Sequence, residues 1–281
     1  MKKILVLIIT LALLCVCATV TFGNIYQFAK YGLGGYGTRA DAMGGAFLAV
    51  ADDGFASCYN PAGITQLNEP VITGDIGLIT KSFPSDYQIL SGFGGITTPS
   101  WGANFCFDQY NILNTSYKFI FSKAAPLSES AAWGGNIKLT CGDFYGVNVD
   151  SGWLWKPSEV FSWGVVARDI GYPFFESGPS LSVGCAYRES SSTVIAADLD
   201  LMVLTWDSYF LPFPMGHLGV EQYVISDVVA LRMGFSGFPA QGFYAFTGGM
   251  GVKIYGVNAD LAIIGLTGGI PGVELSVSHR L

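Results

Sequence analysis

Apolar and polar residues alternate along the chain from residue 70 to its C-terminus, and turn-forming residues interrupt this alternation at regular intervals. In the segment 227–236, for example, Val229, Leu231 and Met233 fall on one face of an extended strand, and Arg232 falls on the other. The alternation predicts fourteen strands, at 70–83, 86–98, 100–110, 112–123, 131–143, 145–156, 158–170, 179–189, 192–202, 215–225, 227–236, 242–254, 256–264 and 272–281. An even number of strands is typical of closed antiparallel barrels in bacteria.

Composition distinguishes a membrane barrel from a soluble β-sandwich, which would show the same alternation. Hydrophobic residues make up 51% of the chain and charged residues only 12%, about half the usual quarter. The mean hydropathy is +0.44. After residue 23, no apolar run reaches the roughly 18 residues of a membrane-spanning helix. We therefore predict an all-β fold, with a transmembrane antiparallel β-barrel over residues 69–281 that turns its apolar face to lipid.

The first 23 residues have the pattern of a secretory signal peptide. Lys2 and Lys3 precede an apolar run, and Thr21-Phe22-Gly23 offers a cleavage site, with Ala18 as a rival. Export and a barrel together predict the outer membrane of a Gram-negative-type bacterium as the location and its lipid bilayer as a partner. The acidic balance, with a pI of about 4.7, argues against nucleic acid as a partner.

Two loops after odd-numbered strands carry the most apolar segments expected outside the membrane. The predicted loop 203–214 is rich in aromatic residues and proline, and the predicted loop 171–178 adds two phenylalanines. They could bind a hydrophobic ligand or a partner, or fold over the barrel mouth or into the outer leaflet. The candidate ligand-binding residues are Trp206, Tyr209, Phe210, Phe213, Phe174 and Phe175. A second group of aromatic residues lies near strand ends and predicts an interfacial girdle: Trp133, Trp153, Trp155, Trp163 and Tyr187.

The segment before the strands, 24–68, differs from the rest because it is rich in glycine and alanine. Thr38 and Asp41 suggest a capping box before a helix at 42–50, and Asn60-Pro61 is a second helix start. Helices with so little side-chain bulk can pack closely against another surface. We therefore expect this segment to form a short helical hatch inside the barrel.

The stretch GTRADAMGGAFLAVADDGFASCYNPAGI (37–64) resembles the N-terminal signature of the FadL-like superfamily of outer-membrane proteins, most closely its PorV/PorQ branch. Later stretches such as GVNVDSGWLW and VELSVSHRL resemble the barrel strands of the same family. The chain ends in Leu281, where the signal read by the barrel-assembly machinery usually ends in Phe or Trp. The residues that carry the signature in the hatch are Met43, Gly44, Gly45, Asp52, Asp53, Asn60 and Pro61.

The resemblance implies a fourteen-stranded barrel with an inward-folded hatch. In transporting members of the family, hydrophobic molecules such as fatty acids pass a cavity controlled by the hatch. In the PorV/PorQ branch, the barrel instead serves type IX secretion and binds secreted protein cargo or assists its attachment at the surface. Both functions are non-enzymatic.

Other motifs give weaker indications of chemistry. GLGGYG (32–37) matches GxGxxG, but no strand precedes it and no βαβ unit surrounds it, so we expect no dinucleotide and no other cofactor. The ninth and tenth strands, closed symmetrically, pair Asp200 with His217. An omptin-like protease is the enzymatic alternative, and a lumenal network of compensating charges is the favoured interpretation. That network comprises Asp198, Asp200, His217, Glu221 and Arg232, with Arg168, Lys138 and Arg280 opposing Asp150, Asp260 and Glu274.

Four cysteines follow the predicted signal peptide, at positions 58, 106, 141 and 185. Cys141 and Cys185 fall on lipid-facing positions of strands that are not neighbours, and they are interpreted as small apolar residues. Cys58 in the hatch and Cys106 on a lumenal position could meet and fasten the hatch, although no sequence pattern fixes their separation.

Overall fold

The computed structural model describes residues 36–81, 87–109, 115–142, 145–172, 179–190, 192–206, 209–225, 227–239, 243–266 and 270–281. The predicted signal peptide, the GLGGYG glycines before residue 36 and the first part of the hatch lie outside these residues. Within the described part of the chain, no helix is both long and apolar enough to span a bilayer.

Fourteen antiparallel strands form one closed barrel, in which each strand pairs with its neighbours along the chain. The first and last strands close the ring, with Val71 opposite Arg280. This confirms the predicted fold class and strand number. The strands are β1 (Val71–Lys81), β2 (Tyr87–Thr97), β3 (Trp101–Gln109), β4 (Thr115–Pro126), β5 (Ala131–Gly142), β6 (Gly146–Trp155), β7 (Phe161–Tyr172), β8 (Ser180–Ser190), β9 (Thr193–Trp206), β10 (Tyr209–Ile225), β11 (Val229–Phe238), β12 (Phe243–Ile254), β13 (Val257–Leu266) and β14 (Ile270–Arg280).

The barrel has apolar side chains outside and polar side chains inside. On β14, Val273, Leu275 and Val277 are 44%, 52% and 54% exposed, whereas Glu274 and Ser276 between them are each 4% exposed. A soluble protein would bury the apolar set and expose the polar one. The exterior therefore suits a hydrocarbon environment, as the alternation and the composition together predict.

Aromatic side chains gather at the rim where β1 begins and β14 ends, here called the terminal rim. Trp133 on β5 pairs with Trp153 on β6, and Trp155 on β6 pairs with Trp163 on β7. These four indoles and the Tyr187 ring are exposed on the outside of the barrel. Their positions are those predicted for an interfacial girdle.

The predicted loop 203–214 is wrong, because β9 continues to Trp206 and β10 starts again at Tyr209. Pro212 and Pro214 lie inside β10, opposite Val203 and Leu201 of β9. Pairing of β10 with β11 begins only at Gly216. Among the described residues, 209–215 therefore pair with β9 only, and a proline nitrogen without a hydrogen is tolerated on such an edge. The β9–β10 hairpin consequently extends beyond the described parts of β8 and β11 at the opposite rim.

Residues 36–70, here called the lumenal segment, contain three short helices: α1 (Thr38–Ala42), α2 (Ala56–Tyr59) and a 3-10 helix (Pro61–Gln66). The predicted helix at 42–50 does not form, because Gly44 and Gly45 adopt positive φ angles of 67° and 81° just after α1. The predicted capping box is also absent, since Thr38 Oγ1 donates to Asp75 on β1 instead.

The second predicted helix start is confirmed. The side-chain oxygen of Asn60 accepts a hydrogen bond from the Ala62 amide, and Pro61 is the first residue of the 3-10 helix.

Candidate functional site: the lumenal segment and its contacts with the barrel wall

The lumenal segment touches the whole circumference of the wall. Its helices pack against β4 through the 3-10 helix and against β13 through α1. The remaining strands each contribute at least one contact, and from β1 onward these involve Asp75, Phe93, Asn104, Gly134, Gly152, Gly164, Gly184, Asp198, His217, Gly234, Thr247 and Glu274. Nearly all side chains from Tyr36 to Ile64 are buried. A segment so small in side-chain volume fills the barrel because its backbone lies directly against the wall.

Glycines in the wall make this close approach possible. A Cβ on Gly219 of β10 would lie 2.5 Å from the carbonyl oxygen of Met43, and one on Gly164 of β7 would lie 2.6 Å from that of Leu48. The same crowding applies to seven lumen-facing glycines, here called the glycine belt: Gly134, Gly152, Gly164, Gly184, Gly219, Gly234 and Gly249. Sequence reasoning missed the belt, although each of these glycines occupies a lumenal position of a predicted strand.

Arg39 connects the segment electrostatically to the wall. Its guanidinium donates to both carboxylate oxygens of Glu221 on β10, each at 2.7 Å, and to Asp52 at 2.6 Å. Arg232 on β11 also donates to Glu221 at 2.6 Å and to Asp260 on β13 at 2.6 Å. Glu221 is thus buried between two arginines, a geometry in which charge-assisted hydrogen bonds are strong. Arg39 was absent from the predicted network, which included Glu221 and Arg232.

A second group of predicted residues anchors the middle of the segment. One carboxylate oxygen of Asp198 accepts the amides of Phe47 and Leu48, at 2.7 and 2.8 Å. His217 Nδ1 lies 2.7 Å from the carbonyl oxygen of Gly44, and its Nε2 lies 3.3 Å from Asp200. The structure therefore brings Asp198, Asp200 and His217 together, but as anchors of the segment.

The strand register differs from the expected one at this point. His217 lies opposite Asp198, and Asp200 lies opposite Met215, because the pairing of β9 with β10 is centred between Trp206 and Tyr209, one residue earlier than the centre of the predicted loop 203–214. Both nitrogens of His217 are close to polar atoms beneath the segment, and the imidazole is buried. This position differs from the exposed barrel rim, where an omptin-like protease requires its histidine.

Asn60 joins three parts of the molecule. Besides capping the 3-10 helix, its amide nitrogen donates to the carbonyl oxygens of Leu48 and of Trp153 on β6, both at 3.0 Å. The side chain is fully buried. All three of these partners are backbone atoms. A side-chain amide suits this position because it supplies both a donor and an acceptor.

The predicted turn residues Asp52 and Asp53 lie beside Arg39. Asp52 contacts Arg39 and, at 3.4 Å, Arg188 on β8. Asp53 accepts the amide of Phe55 at 2.9 Å just before α2. These carboxylates thus balance the charge of the arginines and shape the entry into α2.

Other charged residues of the predicted network also form ion pairs, some of them with residues outside that network. Lys138 lies 2.7 Å from Asp150 and 2.5 Å from Asp169, and Arg168 lies 3.7 Å from Asp200. Arg280 instead pairs with Glu69, at 3.8 Å, near the terminal rim. Glu274 accepts the amide of Gly37 at 3.3 Å.

A cavity of about 150 Å³ lies between the lumenal segment and strands β10 to β14, beside the terminal rim. Its lining is mostly polar and includes the charged residues Arg39, Asp53, Arg232, Lys253 and Asp260. Such a surface suits water or a polar solute rather than a hydrocarbon. Among the described residues, no cluster of His, Cys, Asp or Glu could hold a metal ion.

The structure places the backbones of four predicted ligand-binding residues at the tip of the β9–β10 hairpin. Trp206 ends β9, and Tyr209, Phe210 and Phe213 belong to β10. Phe174 and Phe175 lie outside the described residues. The role of all six residues in ligand binding stays a prediction.

Comparison with known proteins identifies the fold. No protein-family model matches the sequence, and no curated protein matches it. Among solved structures, the CymD monoaromatic hydrocarbon channel aligns with a TM-score of 0.70 and 14% identity, over 89% of this chain and 99% of CymD. The Ralstonia pickettii toluene transporter TbuX aligns with a TM-score of 0.68 and 13% identity, over 89% of this chain and 100% of TbuX. A Pseudomonas aeruginosa FadL homologue aligns with a TM-score of 0.60 and 10% identity, over 88% of this chain and 99% of the homologue. The chain thus has the fold of the FadL-type barrels.

Proposed function

We propose that this protein is an outer-membrane channel for hydrophobic small molecules and that the lumenal segment is its gate. The observation that carries the proposal is a segment that lies in the lumen and contacts all fourteen strands. A wide, permanently open pore would not need such a segment. A barrel that only anchored other molecules would not need a segment in contact with every strand.

The nature of the contacts supports movement of the segment. Many of its links to the wall are ion pairs and hydrogen bonds, such as those of Arg39, Asp198 and Asn60. Water can replace such partners when the segment shifts.

The β9–β10 hairpin is the proposed arrival point of the ligand. It extends beyond β11 at the rim opposite the terminal rim. With the chain's N-terminal side in the periplasm, this rim faces the exterior. Trp206, Tyr209, Phe210 and Phe213 are proposed to take up the ligand there, together with Phe174 and Phe175. The similar structures include a monoaromatic hydrocarbon channel and toluene transporters, which supports a small aromatic ligand, and the family resemblance of the sequence adds a fatty-acid-like ligand to the proposal.

Binding to the purified protein tests this site. A fluorescent fatty acid should bind with saturation, and toluene or unlabelled oleate should displace it. Phe210→Asp should weaken binding at least tenfold. Tyr145→Asp is the matched control, because Tyr145 is 76% exposed in the β5–β6 turn at the same rim. Equal binding by both variants and the unchanged protein would remove the hairpin from the proposal.

Two alternative functions predict different results in measurements on the purified protein. A PorV-type role in type IX secretion predicts co-purification with secreted cargo and no lipid uptake. An omptin-like protease predicts peptide cleavage that disappears in Asp200→Asn. In every case, the barrel-assembly machinery is the proposed partner during insertion.

A further inference from the structure

Two cysteines meet at the boundary between the lumenal segment and the wall. Cys58 lies in α2, and Cys106 lies on β3. The residue before Cys58 is fixed on both sides: Ser57 Oγ accepts from Asn104 at 3.2 Å, and the Ser57 carbonyl accepts from Asn136 at 2.8 Å. Asn104 and Cys106 point to the same side of β3, because they are two residues apart. This arrangement packs Cys58 against the buried cluster that contains Cys106.

The surroundings of the two thiols differ. Cys106 is fully buried among Tyr36, Phe55, Phe93 and Ile120, whereas Cys58 packs at the edge of this cluster and is only partly buried. An external reagent would therefore reach Cys58 first. The Cys106 thiol could then react with the modified Cys58.

The other two cysteines form no such pair. Cys141 is on β5 opposite Tyr117 of β4, and Cys185 is on β8 opposite Trp163 of β7. Two strands separate β5 from β8, so a bridge between them would require the wall to break. They serve as internal controls for reactivity.

We propose that Cys58 and Cys106 form a disulfide that fastens the lumenal segment to the barrel wall and can be opened by reduction. The oxidant is a disulfide of the cell envelope, R–S–S–R. The Cys58 thiolate attacks one sulfur of R–S–S–R and releases R–SH after protonation. The Cys106 thiolate then attacks the sulfur of Cys58, which releases the second R–SH. In sum, two protein thiols become one disulfide, and one R–S–S–R becomes two R–SH.

The tether would act on one side of the segment only. It fixes α2 to β3. On the other side of the segment, Arg39 keeps its non-covalent contact with β10, and Gly44 keeps its contacts with β10 and β11. Oxidation would therefore stop complete departure of the segment, and reduction would permit it. This consequence for passage rests on the proposed function, whereas the disulfide itself does not.

Mass spectrometry of the full-length mature protein, isolated from the outer membrane with thiols trapped by iodoacetamide, tests the disulfide directly. We expect a peptide that links Cys58 to Cys106, with Cys141 and Cys185 alkylated. After dithiothreitol, all four cysteines should be alkylated. Four alkylated cysteines before reduction, even after treatment with oxidised glutathione, would overturn the proposal.

Variants separate the tether from the gate. Cys58→Ser and Cys106→Ser should each leave the partner cysteine alkylated, whereas Cys141→Ser should leave the linked peptide intact. Amide exchange across residues 56–66 should slow at least tenfold on oxidation of the unchanged protein and should not change in Cys58→Ser. A linked peptide without any redox effect on ligand uptake would retain the disulfide and count against the proposed gate. Absence of the linked peptide in a protein that transports normally would reject the disulfide alone.

Discussion

Arg39 of the lumenal segment and Glu221 of β10 form a bidentate ion pair, with both N–O distances at 2.7 Å. The side chains are 14% and 1% exposed, although 182 residues separate them in the sequence. The pair connects the segment to the wall in a site where an unpaired charge is costly. It is therefore the contact whose loss should loosen the segment most.

Replacing Arg39 tests this contact. Arg39→Met should lower the free energy of opening of residues 36–53 by about 3–5 kcal/mol, because it leaves buried carboxylates with too few partners. Hydrogen exchange of the amides of Met43 to Val50 measures that free energy. Arg280→Met is the control, since its pair with Glu69 is long, at 3.8 Å, and partly exposed. It should change opening by less than about 0.5 kcal/mol. Equal protection in both variants would contradict the assigned role of Arg39.

Two glycines of β10 test the close fit between wall and segment. Gly219→Ala should destabilise the closed segment by about 1–3 kcal/mol, because the new Cβ meets the backbone of Met43. Gly216→Ala on the same strand has no heavy atom within 4 Å of the new Cβ and should be neutral or slightly stabilising. Exchange rates of residues 40–50 in the folded barrel give the comparison. A neutral Gly219→Ala would mean that the segment does not rest on the glycine belt.

Asn60→Ala should destabilise the segment by about 2–4 kcal/mol. The change removes the helix cap, worth about 1 kcal/mol, and leaves the carbonyls of Leu48 and Trp153 without this donor, at about 1–3 kcal/mol. Limited proteolysis of the segment, measured as the temperature rises, gives the effect on its stability. Thr65→Ala, which removes one bond within the same helix, should cost about 1 kcal/mol or less. The reverse order of the two effects would exclude Asn60 as the main link.

Leu275→Arg tests whether the exterior of the barrel faces lipid. Leu275 is in the middle of β14, beside the exposed Ile76 of β1. In a bilayer the arginine should cost up to about 2–4 kcal/mol in the free energy of unfolding. Leu127→Arg is the control, because Leu127 is equally exposed but belongs to the β4–β5 turn. Urea titration of both variants in phospholipid vesicles measures the difference. No cost for Leu275→Arg would contradict the membrane barrel.

The strands were predictable because burial in the lumen and exposure to lipid impose a period of two on the sequence. The observed ends of β11, at Val229 and Phe238, lie within two residues of the predicted ones. The prediction failed at 203–214 because proline and aromatic residues there were interpreted as a loop. Whether proline fits a strand depends on how far the neighbouring strand extends, and one sequence does not contain that information.

The site was less predictable than the fold. The helix predicted at 42–50 depended on local propensity, whereas wall side chains such as Asp198 determine the backbone there. Arg39 could have been found as the only basic residue in 36–70, since a single cation among small residues requires an acidic partner. Its partner Glu221 could not be inferred, because the strand register and the path of the segment must both be known.

The most direct test of the gated channel is the initial rate of uptake of radiolabelled oleate and toluene by intact bacteria that lack their own channel of this type. Cells that express the unchanged protein should take up at least one compound several-fold faster than cells without it, and Arg39→Met should change that rate at an equal amount of folded barrel. Equal rates in all three cell types, for both compounds, would contradict the proposed passage of hydrophobic molecules.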